Sequence, residues 1–456
     1  MMLHSESTLR SAAPSVPDDE KARATAEALV LAGGSLVELH PPKIVQTDLV
    51  LRGPVIEQIG SAGTQGLPRV DISGCLITPA FTIAHTHLYM SLAMGMPPPA
   101  RAPRNFAEHL ESIWWTLDRA LDDELVQTSA LVGGMMAAKA GATCIVDLHS
   151  SPRAIDGSLD RIEAALDEIG VRGILAYETS DREGRARRDA ALRENRRFLQ
   201  KVARGETNHR SLVGAHALMS LADDALEALK DLATEHHVGM HLQVAEDASD
   251  AIDAERNRKS KLAQRLQALD AVRAGSVLAQ CNELGPEMLP RIGDVGAFVV
   301  TSPRSNMRQG LRTFLGSGGH VALGTDGIDG DLLEEARAYA LRHAELRDGL
   351  SAEVGQRLVA GQVLSAHLFG DCAAPRFLPG ARADFAVLDY APLTPLHTGN
   401  LIEHVIRAWS GANVRHTIAG GRFIVRDRVL VTTDESALVQ RARLAAARLW
   451  ERMQAG

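Results

Sequence analysis

The sequence predicts a (β/α)8 (TIM) barrel carrying a small β-sandwich domain assembled from both ends of the chain. Three observations predict it. Eight apolar strand-like runs alternate with helical segments through the middle of the chain, nearly every one ends in polar residues, and a strand-and-turn texture without helices flanks the region on both sides.

The barrel runs are Ile77–Ala84, Thr143–Asp147, Gly173–Tyr177, Leu212–Ala215, Val238–Leu242, Ser276–Ala279, Ala297–Val300 and Val321–Gly324. Eight buried strands in succession favour a closed barrel over an open doubly wound sheet, and no GxGxxG follows the first strand to argue for a dinucleotide fold. On the N-terminal flank, Ala28–Leu31, Asp48–Arg52, Val55–Ile59 and Val70–Ile72 read as a small antiparallel sheet broken by Gly and Pro. On the C-terminal flank, Ala383–Leu388, His416–Ile418 and Arg422–Val425 read as strands, with Gly380, Gly420 and Gly421 as turn residues. The expected organisation is a disordered tail over 1–27, a composite β domain from 28–77 and 376–430, the barrel over 78–375, and a C-terminal helix in 431–456 running from about Glu435 to Met453.

Composition sets the class. Hydrophobic residues make up 45% and charged residues 23%, and a net charge of -8 without a long basic block argues against nucleic acid as a partner. Cys75, Cys144, Cys281 and Cys372 have no CxxC spacing and read as reduced thiols of a cytoplasmic protein. The first 27 residues lack the apolar core of a signal peptide, and no run approaches a membrane span.

Function is read from the strand ends. His85 and His87, His149, Glu178, His216, the His241/Gln243/Glu246 group, Gln280, Thr301 and Asp326 follow successive strands, and in a barrel all of these ends open on one face. Residues scattered over roughly 240 positions therefore converge. In His85-Thr86-His87 the period of two puts both imidazoles on one side of the strand, where they can approach one ion. An isolated HxH is more often a satisfied pair, but its place at the end of the first strand reverses that. Asp326 ends the eighth strand, which closes against the first, so it can supply an anionic ligand and accept a proton from water; the competing reading is a turn aspartate before Gly327.

The segments Leu76–His87 (LITPAFTIAHTH), Gly214–Ala217 (GAHA), His241–Asp247 (HLQVAED), Ser302–Met307 (SPRSNM), Ala322–Gly327 (ALGTDG) and Pro379–Asp384 (PGARAD) resemble the amidohydrolase superfamily in its aminohydrolase and chlorohydrolase branch. Within it, Trp114-Trp115, Val146–Pro152, Glu178–Arg182 and Ala391–Leu396 are similar to SsnA-type aminohydrolases associated with selenium metabolism. The resemblance implies a metal held by His85, His87, a strand-five histidine and Asp326, with Glu246 shuttling protons. Glu246 and Asp326 are thus the expected catalytic pair. It also implies a small-molecule substrate and a homo-oligomer.

Three positions depart from that pattern. Gln243 stands where the strand-five ligand is expected, Gln280 where a strand-six histidine faces water or substrate, and Thr301 where strand seven often carries a histidine. Glutamine offers a neutral carbonyl oxygen, a poorer donor to Zn²⁺ than imidazole, so the metal site is weakened. His241, about 6.6 Å deeper on the same side, substitutes only if the ion shifts. Around the site, His216, Gln280, Glu178, His149 and Trp114 are the expected substrate contacts, with Trp115 beside Trp114 over the pocket.

The first reading is a hydrolase using one divalent metal, zinc before iron or manganese, to deaminate a small heterocycle or an amidine or guanidine compound. The second is a diverged paralogue that lost metal and hydrolysis and serves as a ligand-binding or scaffold protein or performs a metal-independent step.

Overall fold

The computed structural model describes residues 28–285, 288–316, 318–346, 353–371 and 376–455, so the expected tail and Cys372 lie outside the described residues. The barrel strands are β1 (Phe81–Thr86), β2 (Ala142–His149), β3 (Arg172–Tyr177), β4 (Arg210–Ser211, continuing as Val213–Ala215), β5 (Met240–Val244), β6 (Val277–Gln280), β7 (Phe298–Thr301) and β8 (Val321–Leu323). They form two parallel ladders, β1 to the first part of β4 and the second part of β4 to β8. Single backbone hydrogen bonds stitch the ladders into a ring. At one seam Thr179 N–H donates to Gly214 O (3.2 Å) and His216 N–H to Thr179 O (3.0 Å); at the other Thr325 N–H donates to His85 O (2.9 Å).

Each seam is closed by a glycine. A Cβ on Gly214 would lie 2.2 Å from Tyr177 O, and one on Gly324 2.6 Å from His85 O, so no larger residue lets the backbones approach. Inward-facing Ala84, Val146, Ile174, Val277, Phe298 and Val300 fill the barrel as one apolar cluster.

The expected first strand, Ile77–Ala84, divides at Ala80. Leu76–Pro79 belongs to the β domain and only Phe81–Thr86 to the barrel. Periodicity alone could not place the break, because both halves are apolar and buried. In β1, Ile83 pairs with Ile145 and Thr86 with Asp147, so three steps oppose two on the neighbour. This bulge brings His85 onto the barrel face that Ala84 already occupies, and His87 follows by the period of two.

The second unit is two sheets. Leu76–Pro79 lies between Phe385–Leu388, paired antiparallel with Phe385 opposite Pro79, and Ser35–Leu39, paired parallel. The other sheet has four strands, in the order Val55–Ile59, Leu49–Arg52, Ala28–Ala32, Arg69–Asp71. Leu31, Leu49, Ile56, Ile77, Phe385 and Ile418 fill the space between them. The expected small antiparallel sheet is therefore two mixed sheets. Strands Ser35–Leu39 and Pro42–Gln46, absent from the sequence reading, form a hairpin at its edge. Pro41 and Pro42 disguised them, since proline reads as a strand breaker but is tolerated at an edge.

The last helix, Glu435–Ala455, lies on the helical segment that follows β1. Trp450 Nε1–H donates to Leu92 O (2.9 Å) and Arg452 pairs with Asp122 (2.7 Å). No helix among the described residues is long and apolar enough to cross a membrane.

Phe385 joins the chain ends, packing between the sheets and stacking on Phe377 with ring centroids 5.5 Å apart. Phe385→Ala is expected to lower unfolding free energy by about 3–5 kcal/mol, as measured by urea denaturation. It should also speed protease cleavage within 28–79. Unchanged cleavage there would show that the N-terminal strands stand without the C-terminal ones.

Candidate functional site

At the closing seam the last strand delivers a carboxylate to the first. Asp326 takes the left-handed conformation (φ 50°), and its Oδ1 lies 3.0 Å from His85 Nε2 and 3.4 Å from His87 Nε2. Ser305 Oγ–H donates to Oδ2 at 2.6 Å. Ser305 was missed in the sequence, although the Ser302–Met307 motif had been singled out; only the short helix Pro303–Arg308 turns it toward Asp326.

His85, His87 and Asp326 are buried and bring three ligand atoms within 4.8 Å of one another. Burial opposes the charge on His87, but its hydrogen bond to Asp326 and the negative charges of Asp326 and Glu178 raise it to about 9. Burial likewise opposes the Asp326 carboxylate, which the two imidazoles hold well below the usual range. Positive charge is thus favoured beside Asp326, where a cation would bind. These donors fit a small divalent ion, since two imidazoles and a carboxylate are a common catalytic zinc set.

Neighbouring contacts fix the ligand tautomers. His87 Nδ1 lies 2.7 Å from Leu148 O, so Nδ1 carries the proton and Nε2 is the free donor atom. His85 Nδ1 lies 2.8 Å from Nε2 of fully buried His241. If His85 binds an ion through Nε2, Nδ1 must carry its proton and His241 Nε2 must accept it. His241 therefore stands behind the ligands and outside the converging set. Burial first, then the adjacent imidazoles, hold it well below its ordinary pKa and keep it neutral.

Gln243, where the resemblance leads one to expect a ligand, has its amide nitrogen 3.3 Å from His87 Nε2, and a 180° turn of the amide exchanges nitrogen for oxygen there. Glu246 lines one small cavity with His87, Gln243 and Asp326, its carboxyl pushed well above the usual range by burial and then by the Asp326 charge. Trp114, Trp115, His216 and Glu178 complete its walls with Tyr89, Leu110, Met90 and Gln309. A π-turn at Leu110–Trp114 presents both tryptophans to it.

Two expected substrate contacts lie elsewhere. His149 is fully buried with Nε2 on Ser151 Oγ (2.8 Å), and Gln280 is buried with neither amide atom hydrogen-bonded; neither lines the cavity. Thr301 Oγ1 is also buried and unpartnered. Backbone strain gathers at these strand ends: Ala245 (φ 47°), Gln280 (φ 72°) and Asp326 (φ 50°) are left-handed without being glycine.

The model of the amidohydrolase family matches residues 76–424. A 5-methylthioadenosine/S-adenosylhomocysteine deaminase from Halobacterium salinarum is 29% identical, covering 93% of this chain and 98% of that protein. A 5'-deoxyadenosine deaminase from Methanopyrus kandleri is 25% identical over 82% of this chain and 86% of its own length. Among solved structures, a zinc-bound adenosine deaminase from Xanthomonas campestris superposes with a TM-score of 0.81 at 20% identity, covering 92% of this chain and 98% of that one. The zinc complex of atrazine chlorohydrolase from Arthrobacter aurescens gives 0.74 at 17%, covering 92% and 100%.

If Gln243 is the weak ligand, Gln243→His is expected to raise zinc affinity at least tenfold in isothermal titration, about 1.4 kcal/mol. Equal affinity in the two proteins would remove Gln243 from the site.

A pH dependence follows from Asp147, whose Oδ1 accepts Leu88 N–H (2.7 Å) while Oδ2 is buried without a partner. Burial pushes this carboxyl up to about 7. Its ordinary value is about 3.9, so between the two the folded state keeps a proton that the unfolded chain releases. Its contribution to stability is complete below about 4 and is lost as pH rises through about 7. Asp147→Asn should therefore flatten the fall in melting midpoint between about pH 4 and 7, and an identical slope in both proteins would refute the assignment.

Proposed function

The chain belongs to the amidohydrolase family and is an aminohydrolase-like enzyme, and from that premise we propose that it hydrolyses a non-peptide C–N bond. The substrate is a small amino-substituted heterocycle or an amidine or guanidine compound; one water enters and one ammonia leaves. The observation that carries the reading is the meeting of two imidazoles on one carboxylate oxygen, Asp326 Oδ1, in the wall of a cavity that also holds Glu246. The deaminase names of the relatives support it.

His85, His87 and Asp326 would hold one divalent ion, zinc foremost, with the Gln243 amide oxygen as a fourth, weaker donor. Bound there, the ion supplies Lewis-acid charge stabilisation and acidifies water from a pKa of 15.7 toward roughly 7. The protein's groups do the rest. Asp326, anchored through Oδ2 by Ser305, accepts a proton from the attacking water. Glu246, whose buried carboxyl favours the protonated form, delivers a proton to the departing nitrogen. His216 is held down to about 3 by burial, so it is a neutral hydrogen-bonding partner for a ring nitrogen.

A second reading, ligand binding without hydrolysis, has its own support. Gln280 and Thr301, at two positions where the family resemblance leads one to expect imidazoles, are buried with side-chain polar atoms unpartnered.

Zinc-supplemented protein is expected to release ammonia from a member of a panel of adenosine-type nucleosides, aminotriazines and guanidines. Glu246→Gln and Asp326→Asn should each lower kcat by about 10²–10⁴ without unfolding the protein. No ammonia from the whole panel with zinc bound, or full activity in Glu246→Gln, would overturn the proposal.

A further inference from the structure

Two spaces meet at the site. The outer chamber, about 380 Å³, is walled by Met94, Met96, a run of prolines from Pro97 to Pro99, and Ile113, with Arg308 at its exposed rim. Met90, Trp114, Gln309 and Asp326 wall both it and the inner cavity. The inner space is small, about 20 Å³, so a ligand enters it by displacing the dividing side chains Trp114 and Gln309.

One carboxyl group of the inner cavity has no partner beside it to compensate its charge. Three carboxylates face it: Glu178, Glu246 and Asp326. Asp326 is engaged by two imidazoles, and Glu246 has the proton-transfer task. Glu178 has neither. It is 5% exposed, its carboxylate accepts no hydrogen bond among the described residues, and its nearest ion-pair contact is His216 Nε2 at 3.8 Å. Burial keeps that imidazole uncharged. The nearest guanidinium, Arg182, is committed to Asp118 and to Ser150 Oγ (2.9 Å), and it makes no ion pair with Glu178. Burial pushes the Glu178 carboxyl up to about 7, so its charged form lacks compensation within the protein and is stabilised by a cation that arrives with the ligand. The surrounding Trp114, Trp115 and Tyr89 rings favour the same charge.

We infer that the ligand of this site is a cation with an apolar tail: a planar amidinium or guanidinium head lodges against Glu178, and an uncharged tail passes Trp114 into the outer chamber. This deepens the hydrolase reading and rests on it for where the head reacts. A planar fork of N–H donors matches a carboxylate in a way that a single ammonium does not, and its central carbon is the atom from which an amino group is hydrolysed. The methionine and proline wall matches an alkyl or thioether tail.

The test is isothermal titration of zinc-loaded, full-length protein with guanidinium, hexylguanidinium and hexylurea, a neutral analogue of the same shape. Hexylguanidinium is expected to bind at least tenfold more tightly than either of the others. Glu178→Gln should abolish the preference over hexylurea and Glu178→Asp should keep it, with thermal melts confirming that both fold. Met96→Ser should weaken hexylguanidinium and leave guanidinium unchanged. Equal binding of hexylurea, or a preference that survives Glu178→Gln, overturns the inference. Binding with this preference but no ammonia release anywhere supports the inference and removes the hydrolase reading; ammonia release from neutral heterocycles alone, without a guanidinium preference, does the reverse.

Discussion

The carbonyl oxygen of His85 accepts two backbone N–H groups from the far end of the barrel, those of Thr325 (2.9 Å) and Asp326 (3.3 Å), and the geometry of the site follows from that seam. Gly324 lets the backbones come this close. The left-handed turn at Asp326 then folds its carboxylate back over the imidazoles of the strand it has just met. Without this seam the three ligand atoms would belong to opposite ends of an open sheet. The bulge in β1 acts with it, since both histidines must face inward for the returning carboxylate to find them.

Electrostatics at the seam explain why metal-ligand character survives beside three altered positions. Asp326 is buried, and a buried carboxylate requires positive charge close by. His87 can supply it, since the carboxylates around it raise its pKa to about 9 against the opposing effect of burial. An ion would take over that duty and displace the proton. A glutamine in place of a fourth imidazole at Gln243 would cost one donor and leave this charge relation intact. Gln280 and Thr301 line no wall of the inner cavity, and their side-chain polar atoms are buried and unpartnered.

The barrel strands were legible because buried parallel strands are apolar runs bounded by polar ends, and the ends at His85/His87, Asp326, Gln243 and Glu246 do meet. The glycines of GAHA and ALGTDG turn out to be the two seam glycines, a reason for those motifs that only the folded backbone reveals. What stayed illegible is what period and propensity cannot encode. The break at Ala80 joins two apolar strands of different domains, and the hairpin around Pro41 and Pro42 offends strand propensity at an edge where the offence is harmless. Ser305 reaches Asp326 through a helical turn, and His149 and Gln280, the last residues of their strands, line no wall of the cavity, which a run of apolar residues with a polar end does not reveal.

Metal and ligand at this site share one charge balance. A full set of histidine ligands would hold a divalent ion firmly, and that ion would satisfy both Asp326 and much of the field felt by Glu246 and Glu178. An amide at Gln243 in place of an imidazole would loosen the ion and remove none of the carboxylates, so the demand of the cavity for positive charge would persist. Part of that demand can fall on whatever enters, and Glu178, the carboxylate farthest from any proton-transfer task, is where it would be felt most. A weaker ion at Gln243 and a buried Glu178 carboxyl lining the same cavity would then belong to one charge balance, in which the bound ligand contributes charge that the protein does not fully supply.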